Sequence, residues 1–167
     1  MSALIKIKSV IPKKSTKKSL TTHNAFLNDA GQLLYAKKQV KSFLADYNNS
    51  DLPELPNSIS TSVSSLENSA NQLKLNQDAY ARSKRIDELE DSLQIVVNRI
   101  SQANGFINRL NSAQNTLAPL RNSSNSSIKN EAISLYNTAA SYKSALNNAI
   151  SILTSTRSGI ERSIENA

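Results

Sequence analysis

Apolar side chains recur at steps of three and four along most of this chain, and the recurrence falls into four stretches. Phe26, Ala30, Leu33, Val40, Leu44 and Tyr47 share one face, with Lys37 the single intruder, which predicts a helix over 22–47 opened by Thr22 as N-cap. Pro53 and Pro56 then close that pattern. Ile59, Val63, Leu66, Ala70, Leu73, Gln77 and Tyr80 make a 3.5-residue seam that predicts a second helix over 57–80. Ile86, Leu89, Leu93, Val96, Ile100, Ala103, Ile107, Leu110 and Leu117 predict a third over 86–118. A polar run follows Pro119, and Ile128, Ala132, Leu135, Ala139, Tyr142, Leu146, Ala149, Leu153, Thr156 and Ile160 predict a fourth over 127–164.

The second and third seams are out of phase: prolonging the second would bring Lys84, Asp87 and Asp91 inward. Bases at Arg82, Lys84 and Arg85 followed by acids at Asp87, Glu88, Glu90 and Asp91 suit a helix end and then a helix start, as the macrodipole prefers. A turn is therefore expected between 78 and 87. With neither Gly nor Pro there, one continuous helix is the alternative. The expected fold is all-α: an elongated antiparallel bundle of four helices, or three if the turn is missing, over 22–167.

In the last helix Ile133, Ala140, Ile150, Ile152 and Ile164 lie beside the main seam and widen its apolar face. A helix apolar on more than one stripe has more than one neighbour, so Ile133, Ile150 and Ile164 become candidates for contact with a second copy.

The start of the chain reads differently. Ile5, Ile7 and Ile11 fall on one side of a strand-like stretch closed by Pro12, and no second strand follows to pair with it. A lone strand leaves backbone groups to be satisfied elsewhere, so these three isoleucines join the self-association candidates. Residues 13–21 have no apolar periodicity and read as a cationic linker, which makes 1–21 an extended basic arm.

Charge sharpens that division. Lys6, Lys8, Lys13, Lys14, Lys17 and Lys18 precede the first acid, Asp29. The remaining bases and acids nearly balance, so the net +7 belongs almost wholly to the arm. Only 5% of residues are aromatic, which suits narrow seams of Leu, Ile, Val and Ala. Ser and Asn are abundant and are weak helix formers, so packing must hold these helices. With no cysteine, there is neither a disulfide framework nor thiolate chemistry. The first residues lack a signal-peptide core, which points to a chain in the cytoplasm, in a virion or exported by a dedicated machine. The sequons at Asn48, Asn122 and Asn125 read as polar linker.

Catalytic signals are lacking. His23 has no Cys or second His as partner and reads as a surface or cap residue, and the acids at 87–91 read as a helix start or a solvated face. No catalytic residue, metal ligand or cofactor site is expected. The six lysines are the candidate polyanion-binding residues: each one set near a phosphate releases a counterion, without reading bases. The arm has no aromatic residue to stack on bases, so nucleic-acid contact would be non-specific. An anionic membrane surface is a further candidate partner, and no transmembrane segment is expected.

These features predict a non-enzymatic structural or assembly protein that self-associates. Its arm would reach a neighbouring subunit or a polyanion such as nucleic acid, as in a virion, nucleoprotein or filament component. The alternative is an exported effector or interaction module whose first 20 residues are a non-classical secretion or targeting signal.

Overall fold

The computed structural model describes the backbone over residues 17–76 and 79–167, and side chains over 23–54, 56–74 and 79–167. The fold is all-α. Among the described residues four helices follow one another, α1 (Lys17–Asn48), α2 (Leu55–Asn76), α3 (Ala79–Leu117) and α4 (Ser126–Asn166), with a short 3-10 turn at Pro119–Asn122. There is no strand among the described residues. The strand-like stretch at 3–11 lies outside them.

Two compact units divide the chain, one formed by residues 1–46 and 107–144, the other by 47–106 and 145–167. Each is packed from three helical segments.

In unit 1, α1 supplies Ala30, Leu33, Ala36, Val40 and Phe43 to the core. Leu110, Ala113 and Leu117 of α3, Leu120 of the 3-10 turn, and Ile128, Ala132 and Ala139 of α4 are buried in the same unit, and Ala30, Leu33, Ala36, Leu117, Leu120, Ile128 and Ala132 form one cluster. Side-chain pairs fix the directions. Asp46 meets Arg109 while Leu33 clusters with Leu117, so α1 and α3 run antiparallel. Lys37 meets Glu131 and Phe43 meets Tyr142, so α1 and α4 run parallel. Gln114 is 7% exposed, yet both ends of its amide are used. It donates to the Tyr136 carbonyl (3.3 Å) and accepts from Lys143 Nζ (2.8 Å). A buried amide without those partners would cost about 1–3 kcal/mol.

In unit 2 the core is Leu52, Val63, Ala70, Leu89, Val96, Ala103, Phe106, Leu146, Leu153 and Ile160, with Tyr47 packed edge-on against Phe106 at 5.6 Å. Leu52 belongs to no helix. It is set by a turn in which Ser50 donates to the Tyr47 carbonyl (2.6 Å) and Leu52 N–H donates to Ser50 Oγ (3.3 Å). Beside it Asp51 pairs with Arg99 at 2.7 Å.

The many Ser and Thr residues are accommodated inside helices by a repeated device. Thr61, Ser64, Ser112, Thr116, Thr138, Ser141, Ser151 and Thr156 each donate to the carbonyl four residues back. The hydroxyl is satisfied locally, but such bonds add little to helix stability, so packing does the stabilising.

Several boundaries differ from the sequence reading. Residues 17–21, expected in the extended arm, form the first turn and more of α1, so Thr22 is internal rather than a cap. Lys favours helix and nothing between Pro12 and Gly31 breaks one, which outweighs the Thr22 cap signal. Pro56, read as a stop for any helix, lies in the first turn of α2, where its missing N–H has no bond to lose. α2 is described to Asn76 and α3 from Ala79, seven residues before Ile86; residues 77–78 lie outside the described residues. Ala79, Ala81, Arg82, Lys84 and Arg85 are strong helix formers, and half-buried Arg82 continues the seam backward by one turn from Ile86. Tyr80, expected in the second seam, therefore sits on α3 and is 83% exposed. The polar stretch after Pro119 is more than a linker. Leu120 is buried, Ser123 donates to Asp29 (2.6 Å), and Asn125 Oδ1 caps α4 by accepting from Ile128 N–H (3.0 Å).

Candidate interaction surfaces

From residue 22 onward the chain carries 14 bases and 13 acids, but the near balance is a sum of opposites. In unit 1, residues 22–46 and 107–144 hold seven bases and three acids. In unit 2, residues 47–106 and 145–167 hold seven bases and ten acids. The neutral body expected from the sequence is thus a basic unit and an acidic one. The signal was present in the sequence, but only the chain's path through the two units groups residues 22–46 with 107–144.

Within unit 1 every acid is engaged. Glu131 pairs with Lys37 (2.6 Å), Asp46 with Arg109 (2.6 Å), and Asp29 accepts from Ser123. Arg121 lies 3.9 Å over the Tyr136 ring. That leaves Lys38, Lys41 and Lys129 exposed, with no ion pair to a described residue. Tyr35 (57% exposed), Lys38, Gln39 and Ser42 of α1 line a shallow groove with Arg109 and Ser112 of α3. Arg109 is held there by Asp46 and by Ser42 Oγ (2.9 Å), and buried Gln39 Oε1 has no hydrogen-bond partner among the described residues. The chemistry on offer is fixed positive charge beside an exposed aromatic ring, suited to holding an anion by electrostatics rather than to moving protons.

The sequence-derived sites fall unevenly on the structure. Lys6, Lys8, Lys13, Lys14, Ile5, Ile7 and Ile11 lie outside the described residues. Lys17 and Lys18 stand in the first turn of α1, where no acid accompanies them. Ile133, Ile150 and Ile164 are half-buried, so part of the widened stripe on α4 is used within the chain, while Ile152 stays 43% exposed. His23, read as a surface or cap residue, is half-buried six residues into α1 and so is not its cap. The acids at 87–91, read as a helix start or a solvated face, occupy later turns of α3, whose first turn holds no acid, and Asp87, Glu90 and Asp91 are exposed. Arg85 and Glu88 form an i,i+3 pair at 2.7 Å. Among the described residues no cluster of three or more His, Asp or Glu could hold a metal ion, and no helix is long and apolar enough to cross a membrane.

No family model matches this chain, and neither the curated proteins nor the solved structures compared with it provide a match.

Proposed function

We propose that this chain is a non-enzymatic assembly subunit that packs against copies of itself. Its lysine-rich leading segment contacts a neighbouring subunit or a polyanion such as nucleic acid, as a virion, nucleoprotein or filament component does. The observation that carries this reading is the one-sided charge. Six lysines precede the first acid, and in the unit that follows them every acid is already engaged by an intramolecular partner. Lys17 and Lys18 add to it, because cations in a helix's first turn oppose the macrodipole and a nearby anion relieves that cost. Positive charge left over once those three acids are engaged attracts an external anion.

The test is binding of the full chain to duplex DNA across a salt series. If all six lysines engage phosphates, log affinity against log salt falls with a slope of about −5. Replacing the six by Gln flattens that slope. A flat salt response of the unaltered chain removes nucleic acid as the partner.

A further inference from the structure

Four large apolar side chains are exposed among the described residues: Tyr35, Tyr80, Ile95 and Ile152. Two of them, Tyr80 and Ile95, lie in unit 2 on one strip of α3. At 100° per residue, Tyr80, Lys84, Asp87, Asp91 and Ile95 share the face opposite the buried Leu89 and Val96, and all five are exposed. Lys84, Asp87 and Asp91 form no ion pair with a described residue, whereas the neighbouring Arg85 and Glu88 satisfy each other.

The order along the strip is its informative property. Taken from the midpoint between residues 87 and 88, Lys84 and Asp91 stand about 5 Å to either side, and Tyr80 and Ile95 about 11 Å to either side. A base is balanced by an acid, and an aromatic by an aliphatic. The same strip turned end for end complements it at these four positions, with Asp87 near the centre the exception.

We propose that this face of α3 is a two-fold, antiparallel contact between two copies of the chain. Tyr80 of each copy covers Ile95 of the other, and Lys84 of each pairs with Asp91 of the other. The proposal rests on the self-association put forward above and names its surface. Residue i of one copy meets residue j of the other and the reverse, so the contact closes as a dimer and does not propagate. A polyanion or an anionic membrane does not suit this strip, since Asp87 and Asp91 repel both. The two copies of Asp87 come together near the axis, an unfavourable feature that keeps the contact weak. One helix face against another also falls below the ~1,200 Å² of a standard stable interface, so dimerisation depends on concentration.

Sedimentation of the full chain at low salt, up to about 0.5 mM, reads the association constant directly. K84E sets two carboxylates against each other across the contact, and D91K sets two ammonium groups against each other, so each alone weakens the dimer about tenfold. An equimolar mixture of the two variants regains it, because in a mixed pair each end again joins an acid to a base, one end native and the other reversed. D87N strengthens the dimer. All three positions are exposed, and circular dichroism checks that the helices are kept. A chain that associates equally well with and without these substitutions overturns this surface and leaves the proposed function standing. A chain that stays monomeric throughout overturns both.

Discussion

Lys37, the one charged residue in the apolar seam of α1, ends 2.6 Å from Glu131 of α4. The buried positions are Ala36 and Val40, which leaves Lys37 half-buried beside them. The pair's side chains are about a third exposed, so water screens it. Glu131→Gln is expected to lower unfolding free energy by about 0.5–1 kcal/mol in urea titration, and the loss shrinks in high salt. An unchanged midpoint would mean the pair serves register alone.

Gln114 is a sharper case. Its amide links the Tyr136 carbonyl to Lys143 Nζ across the α3–α4 contact, inside a region with little water. Gln114→Leu keeps the volume but removes the bond to Lys143 Nζ and leaves the Tyr136 carbonyl with its helical partner alone, at an expected cost of about 0.5–1.5 kcal/mol. Thermal unfolding of the variant beside the parent measures this.

The heptad positions should respond most strongly. Leu89 and Leu153 are fully buried in unit 2, and either one changed to Ala is expected to cost about 2–5 kcal/mol. Tyr80→Ala, a larger truncation at an exposed site, is expected to stay within about 0.5 kcal/mol at concentrations where the chain is monomeric. Equal effects at Leu89 and Tyr80 would mean the phase of α3 is misassigned.

Much of this was legible in the residues. Leu89, Val96, Ala103, Leu110 and Leu117 repeat every seven residues and all five are buried, as are Ala132, Ala139, Leu146, Leu153 and Ile160 on α4. Such a period on two long helices fixes which faces pack, and so the all-α class. What the residues did not disclose had local causes. Ala36 and Phe43 are core residues one position away from Lys37 and Leu44, and a seam drawn by strict spacing passes over them. Leu52 and Leu120 lie outside the helical periodicity and are placed by turns. Basic residues opening α3 ran against the macrodipole rule, because propensity and the Arg85–Glu88 pair outweigh an effect of less than about 1 kcal/mol per charge. Of the candidate sites, the charge of the lysines was plain from sequence, whereas the balanced strip on α3 required knowing that Tyr80 through Ile95 belong to one helix.

Two glycines offer an independent check on that helix and on α1. Gly31 and Gly105 are exposed within helices, and a Cβ added at either meets no atom within 4 Å. Gly31→Ala and Gly105→Ala are each expected to stabilise by about 0.5–1 kcal/mol, since only backbone entropy changes. A loss at either position would place that residue against something other than the described residues.

The most direct test of the account is light scattering of the full chain beside a variant with Lys6, Lys8, Lys13, Lys14, Lys17 and Lys18 all changed to Gln, at low and at high salt. The predicted result is a full chain well above the single-chain mass of 18.2 kDa at low salt, heavier than the variant, with the two converging as salt rises. Identical masses for the two chains at every salt concentration, with no salt-dependent binding to DNA by either, would contradict it.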